Sequence, residues 1–433
     1  MVMMCTYLTG QLPFKEVYLH TIIRDKEGRK MSKSLGNVVD PMDVRNGITL
    51  EDLHERLLEG NLDPAELERA KEGQKRQFPD GIKECGVDAL RFALCAFAQP
   101  GRDINLDVQR IVGYRNFCNK IYNAVKLVMM QLGDDYKPLA WDAKTKNEST
   151  EDLWMLSRLS AAITTTNQCL SAYDFPGATT AVYNLWLYDF ANNYLEMIKP
   201  VFRGSDAKRQ TAVRNVLFKV VDNGLRLLSP FMPFLTEELW QRLPTCRGEN
   251  DLVDPPSITV AAFPVTGSFS NPKIEALINF VLETVKASRH IKQEYLPASA
   301  KPDVYLRPID EDAYHTLQQF EELMSTLIGA TARVLPVGDP VPKGCALEAT
   351  SDVEVHLMVK GLVDPQQEIE KLEKKLAGVQ ERLSKIESDE QQETYLTAVP
   401  QEVRDANSKK KADLQTQLEV MSTGIKRYQS LLD

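Results

Sequence analysis

The sequence has no C-x-x-C pair, no apolar run long enough to span a bilayer and no surplus of positive charge. Each absence excludes something. The seven cysteines, Cys5, Cys85, Cys95, Cys118, Cys169, Cys246 and Cys345, are odd in number and scattered. That argues against a disulfide framework or a structural zinc and for a reducing compartment. A formal net charge of -9 argues against indiscriminate nucleic-acid binding by the whole surface, while leaving room for a local basic track. The apolar head of the chain, MVMMCTYLTGQLPF, lacks a basic n-region and a small-residue cleavage site. It reads as a buried helix and turn rather than a signal peptide.

What is present is enough to build several cores. At 433 residues and 43% hydrophobic content the prior is two to four domains. Residues 16–25 (EVYLHTIIRD) alternate like a strand, and Asp25-Lys26-Glu27-Gly28 forms a turn. Asp40-Pro41 is a helix start, with Asp as cap and Pro at the first helical position. Two short amphipathic helices are predicted over 50–77, broken at Asn61-Leu62-Asp63-Pro64, and a more buried one over 84–99. From about 107 to 245 the pattern is helical: Ile111, Phe117, Cys118, Ile121 and Val125 recur at helical spacing. After a polar loop at 133–150, long helices are predicted near 151–173, 176–200 and 206–228, with a last one starting at Ser229-Pro230. This is the pattern of a helical bundle.

A Pro-, Gly- and Ser-rich linker at 245–272 leads to a small α/β unit at about 273–360, with strands near 303–307, 332–337, 345–349 and 353–359. In the last segment, 365–433, Ile369, Leu372, Leu376, Val379, Leu383 and Ile386 form one a/d seam, and Leu414, Leu418, Met421, Ile425, Tyr428 and Leu432 a second. With an interruption at Tyr395–Pro400, the prediction is an antiparallel two-helix coiled coil, each helix ~45 Å long at ~1.5 Å per residue.

The densest chemistry lies at RKMSKSLGNVVDP, residues 29–41. Lysine ammonium groups are compact point charges suited to phosphate oxygens. Small serines and Gly36 leave the backbone free to close over a nucleotide while charge builds on a phosphate and its leaving group. The bland alternative is a solvated basic turn or a modification site.

KMSKSLGNVVDP resembles the second signature of class I aminoacyl-tRNA synthetases. It is followed by DALRF (Asp88–Phe92), GRDINLD (Gly101–Asp107), GYRNFCNKIYNA (Gly113–Ala124) and SPFMPFLTEELWQRL (Ser229–Leu243). Together they resemble the valyl branch of eukaryotic type, in its C-terminal part. The resemblance implies a mainly α chain in four parts. Residues 1–106 would be the C-terminal remnant of a Rossmann-like α/β catalytic domain with the KMSKS loop, and 107–245 an anticodon-binding helical bundle. Residues 246–364 would be a linker and small α/β domain, and 365–433 a tRNA-binding coiled-coil arm.

The activity implied is ATP-dependent ligation of valine to tRNA-Val. Lys33 would contact ATP and Lys30 assist it, both by electrostatic stabilisation. Met31 would pack the loop, and Ser32 and Ser34 would supply hydroxyls. Magnesium would accompany the ATP, with no protein-bound metal. The H-x-G-H signature of the first half is missing: the five histidines, His20, His54, His290, His315 and His356, are too far apart to form it. The isolated chain is therefore predicted to lack adenylation and editing activity. The alternatives are a non-catalytic tRNA-binding form, or an isoleucine enzyme of the same class, against which the coiled-coil end and the absence of terminal Cys pairs argue.

Weaker candidates complete the reading. His20 could face the nucleotide or be a satisfied strand histidine. Arg91 could touch tRNA or cap a helix. Trp186, Tyr188, Phe190 and Tyr194 could stack an unpaired base, though helical spacing favours the core. Lys371, Lys374 and Lys375, with Lys409, Lys410 and Lys411, could brace the arm against tRNA, although 365–433 holds 11 basic against 13 acidic residues. The partners implied are tRNA-Val, valine and ATP, with other translation factors as further candidates and no membrane. The expected location is cytoplasmic, with mitochondrial forms sharing the motifs.

Overall fold

The computed structural model describes residues 1–433 except 61, 99–100, 102, 140–144, 245–254, 266–268, 298, 351, 361 and 363–364. Beyond 390 it describes only 404, 407, 411, 414–415, 418, 422, 425–426 and 429, and the side chains of 365, 367–368, 371–372, 375 and 389–390 lie outside it. The chain divides into two compact units, Met1–Glu275 and Ala276–Asp433.

In the first unit, helix α1 (Val2–Thr9) forms where expected, but none of its residues is buried. Met3 is 85% and Tyr7 88% exposed. The helix is apolar around its whole circumference and asks for cover on every side; the described residues provide none. The strand expected over 16–25 shrinks to β1 (Ile23–Arg24), because a strand needs a partner for its backbone groups. That partner is β2 (Ile104–Asn105), parallel and equally short, with Ile23 opposite Ile104.

Side-chain caps set the next helices. Asp40 accepts the Met42 N–H to start α2 (Pro41–Asn46), Thr49 accepts that of Asp52 to start α3 (Leu50–Leu58), and Asp63 that of Ala65 to start α4 (Pro64–Gln77). Helix α5 (Val87–Phe97) follows a glycine with φ of 80°. Asp107 then caps α6 (Val108–Leu132), whose stripe of Ile111, Phe117, Ile121, Val125 and Val128 is buried.

The bundle is completed by α7 (Thr150–Ser171), α8 (Phe175–Asn184), a widened π-helical stretch (Leu185–Tyr194), the short α9 (Leu195–Met197) and α10 (Lys199–Arg203), α11 (Ala207–Leu228) and α12 (Pro233–Trp240). Helix α12 starts at Pro233, later than the expected Ser229-Pro230, because Phe231 and Met232 still bond back to the Leu228 carbonyl in a turn. Helix α7 packs on α8 and α11, and α6 on α5 and α11. Trp186 packs against α11, its indole N–H donating to the Gly224 carbonyl at 3.2 Å. A Cβ at Gly224 would come within 2.9 Å of that ring, so only glycine admits the tryptophan there. Phe92 of α5 is 1% exposed. It meets Phe117 and Phe231 at centroid distances of 5.5 and 6.0 Å.

One polar knot is buried inside this bundle. Asp152 is 0% exposed. Its carboxylate accepts from Arg209, from the Tyr194 hydroxyl at 2.6 Å and from the Ser149 N–H at 3.0 Å. Burial still pushes the Asp152 carboxyl above its ordinary range, against the pull of Arg209.

Helix α13 (Pro272–Tyr295) carries the chain into the second unit. There β3 (Asp303–Pro308), α14 (Glu311–Gln319), α15 (Glu321–Ile328), β4 (Thr331–Val334), β5 (Cys345–Ala349) and β6 (Val353–Met358) match the expected α/β pattern. The sheet order is β4-β3-β6-β5, with only the β3–β4 pair parallel. Arg289 and Lys292 of α13 donate to the Leu327 and Gly329 carbonyls, each at 2.8 Å. Two cations thus close the C-terminal end of α15, where the helix dipole favours positive charge. Helix α16 (Pro365–Glu390) is the first expected coiled-coil helix, with Val379 buried on its seam. Past the reversal, Leu414 is buried too, and Lys411 lies 3.7 Å from Glu387, an approach that an antiparallel hairpin requires. The expected break at 395–400 lies outside the described residues.

Candidate functional site

Residues 25–37 make a compact turn. The Gly28 N–H returns to the Asp25 carbonyl at 3.0 Å, and Arg24 bridges to Lys30 across it. Lys33–Leu35 forms one tight helical turn ended by Gly36 in the left-handed region, with φ of 61°. A Cβ at Gly36 would lie 2.9 Å from the Ala70 Cβ and 3.1 Å from Leu57 and Leu62, so the loop ends where helices α3 and α4 leave room only for glycine.

Lys30 and Lys33 are exposed, and neither has an ion-pair partner among the described residues. Met31 and Ser32 are half-buried and Ser34 exposed, with the two serine hydroxyls 3.0 Å apart. Arg29, by contrast, is held back: its Nε donates to Asp25 at 2.8 Å. The loop therefore presents two uncommitted ammonium groups and retains one guanidinium as structure.

Two residues to which motif reading gave no role in the site hold this turn. Asp25 is buried, and its carboxylate accepts the Arg29 N–H at 2.7 Å and the Asn37 carboxamide at 2.9 Å. Asn37 also accepts the Ser32 N–H at 3.0 Å and donates to the Lys30 carbonyl at 3.3 Å. Burial alone would raise the Asp25 carboxyl, but the donors from Asn37 and Arg29 outweigh it and hold the group below its ordinary range. Their only signal in the sequence was a polar amide directly after the loop glycine and an acid at the opposite turn.

The GRDINLD segment braces the turn from one side. Asp103 pairs with Arg24 at 2.5 Å, and Lys26 approaches Asp107 at 3.3 Å. Arg76 and Gln77, at the end of α4, hold Glu27 from the other side.

DALRF and SPFMPFLTEELW also meet. Asp88 accepts the N–H groups of Phe234 and Leu235 at 3.4 and 2.6 Å, capping α12 from a distant segment. Burial keeps the Asp88 carboxyl above its ordinary range against those donors. Arg91 donates to the Pro230 carbonyl at 3.1 Å. A cavity of about 310 Å³ lies beside this junction, lined by Arg45, Arg115, Cys118 and Leu235 among others.

The remaining candidates disperse. His20 is exposed outside any strand, with Nδ1 2.8 Å from the Thr21 carbonyl. Trp186, Phe190 and Tyr194 are core, while Tyr188 is 51% exposed. Lys374 is exposed on α16; the side chains of Lys371 and Lys375, and residues Lys409 and Lys410, lie outside the described residues. Among the described residues no group of three or more His, Cys, Asp or Glu could hold a metal ion. No helix among them is long and apolar enough to cross a membrane.

Comparison with known proteins gives this geometry a family. Residues 1–107 match the model for tRNA synthetases class I (I, L, M and V), and residues 152–306 that for the anticodon-binding domain of tRNA ligase. The valine–tRNA ligases of Mus musculus and Homo sapiens are each 44% identical to the chain over 436 residues, covering 100% of it and 34% of their own length. The mitochondrial valine–tRNA ligase of Saccharomyces cerevisiae is 40% identical, covering 100% of this chain and 39% of that protein. The ternary complex of Agrobacterium radiobacter K84 agnB2 LeuRS-tRNA-LeuAMS aligns at a TM-score of 0.39 and 21% identity, over 63% of this chain and 27% of that one, too slight a likeness to build on. The chain spans about a third of the length of the curated relatives it matches. With the KMSKS turn, the DALRF helix and the bundle all inside a match that runs from end to end, the chain belongs to the valine–tRNA ligase family of class I tRNA synthetases.

Proposed function

We propose that the chain serves valine–tRNA ligation: ATP-dependent activation of valine, then transfer of the valyl group to tRNA-Val. The observation that carries this reading is 44% identity along the whole chain. The valine carboxylate attacks the α-phosphate of ATP, forming valyl-adenylate and releasing pyrophosphate. The terminal adenosine of the tRNA then takes the valyl group from the adenylate, and AMP leaves. Lys33 neutralises charge as it develops on the phosphates, and Lys30 supports it from the other end of the turn. Met31 packs the turn, and the Ser32 and Ser34 hydroxyls donate to oxygen. Magnesium arrives with the ATP, as part of the substrate. His20 stands behind the lysines as a weaker ATP contact, and Arg91 is a weak candidate for contact with tRNA.

We assign residues 1–106 to the catalytic remnant, 107–245 to the anticodon bundle, 246–364 to the linker and small α/β domain, and 365–433 to a tRNA-bracing arm. Lys371, Lys374, Lys375, Lys409, Lys410 and Lys411 are the arm's candidates for phosphate contact. The cytoplasm is the proposed location.

The sequence lacks an H-x-G-H pair, which favours a second reading for the chain on its own: binding tRNA without adenylation. Valine-dependent ATP–pyrophosphate exchange separates the two. The 433-residue chain is expected to show none above a Lys33→Ala control, while a full-length ligase carrying the segment exchanges and loses exchange on Lys33→Ala. Exchange by the short chain would overturn the second reading, and full activity of the Lys33→Ala ligase the first.

A further inference from the structure

Two side chains beyond Lys30–Ser34, those of Asp25 and Asn37, hold the backbone of the KMSKS turn. Asn37 touches the turn at two backbone points, the Lys30 carbonyl at 3.3 Å and the Ser32 N–H at 3.0 Å. Asp25 touches it at a third, the Arg29 N–H at 2.7 Å. A bond of 2.9 Å joins the two side chains, so the three points move as one. The Asp25 side chain is 3% exposed while that of Arg29 is 55% exposed, so the carboxylate is buried and the guanidinium it holds meets solvent. Three cations lie within residues 29–33, and in an open loop they would repel one another. Asp25 and, at 3.8 Å, Glu27 draw Arg29 back, which leaves the field in front of the turn to Lys30 and Lys33.

We propose that Asp25 and Asn37 are a positioning pair that fixes the height and direction of Lys30 and Lys33 towards the triphosphate; this rests on the reading of the turn as a nucleotide clamp. Neither residue offers a donor to the nucleotide. Their effect passes through the lysines, where a displacement of about 1 Å can cost ~100-fold in rate.

A double-mutant cycle in a full-length valine–tRNA ligase carrying this segment tests the pair. Asp25→Ala and Asn37→Ala are each expected to lower kcat for valine-dependent ATP–pyrophosphate exchange roughly 10- to 100-fold. In a background that lacks both lysines (Lys30→Ala with Lys33→Ala) the same changes should cost less than about 3-fold, because both groups they position are gone. A purely structural role would not produce that non-additivity. Full multiplication of the losses overturns the positioning role. Unchanged exchange in both single variants, with Lys33→Ala still impaired, overturns the pair and leaves the clamp reading intact. Unchanged exchange in Lys33→Ala overturns the clamp reading and the pair with it. Asn37→Ala keeps the Asp25–Arg29 bonds, so it carries the test by itself should Asp25→Ala fail to fold.

Discussion

Replacing Arg209 with alanine should destabilise the helical bundle through the acid it leaves behind. Asp152 is 0% exposed, and Arg209 is its only cationic partner among the described residues. Breaking a buried pair from one side costs about 3–5 kcal/mol, because the remaining charge is stranded. The Arg209 side chain is itself 21% exposed, so water can follow into the vacated space. That favours the low end, about 3 kcal/mol, or about 6–12 °C in melting midpoint at ~2–4 °C per kcal/mol for a unit of this size. The assay is tryptophan fluorescence during thermal and urea unfolding. All four tryptophans precede residue 276, and Trp154 and Trp186 are buried, so the signal reports the first unit alone.

The pH dependence has a definite sign. The Asp152 carboxyl is already raised by burial and rises further without Arg209. A carboxyl whose folded pKa exceeds its unfolded value of ~3.9 stabilises the fold as it takes up its proton. The deficit against wild type should therefore shrink as pH falls through the raised value. Asp152→Asn with Arg209→Met removes both charges and should recover most of the loss. A single-variant loss under about 1 kcal/mol, or a deficit that grows on acidification, would refute the argument.

Three further expectations follow from other residues. Gly81→Ala would place a Cβ 2.3 Å from the Ile48 carbonyl at φ of 76°, so it should break the Ile48–Ile82 bridge and cost about 3 kcal/mol in a urea melt. The Asp25 carboxyl is depressed, so its support of the turn is complete above the ordinary carboxylate value and is lost as pH falls through the lower folded value; amide exchange at Arg29 and Ser32 should accelerate only in that acid range. If the arm contacts tRNA phosphates, Lys374→Glu with Lys411→Glu should weaken tRNA-Val binding several-fold at low salt and flatten its dependence on salt; equal slopes in both proteins would discard the arm as a phosphate contact.

The helices were legible because their start signals are local. Asp40, Asp63 and Asp107 each start a helix by accepting the N–H two residues on, a local bond. The core of the bundle was legible for the same reason, down to the burial of Trp186 and Phe190. What stayed hidden is partner choice at long range. Nothing in DALRF says that Asp88 will cap a helix beginning at Pro233, and nothing in the loop motif says that Asn37 will reach back to Asp25. The strand over 16–25 failed in the opposite direction: its alternation was real, but only two residues found a partner. The widened turn at Leu185–Tyr194 left no mark in the spacing at all.

The grip of Asp88 on α12 has a practical consequence for dissecting the protein. Motif reading invites a cut at residue 107, where the bundle's first long helix begins. A fragment started there would leave behind the carboxylate that starts the bundle's last helix, and Phe92, around which Phe117 and Phe231 close. It would open an aromatic socket to solvent and fray α12 together. An expression boundary that yields a stable bundle has to fall upstream of Gly86, so that α5 travels with the helices it serves.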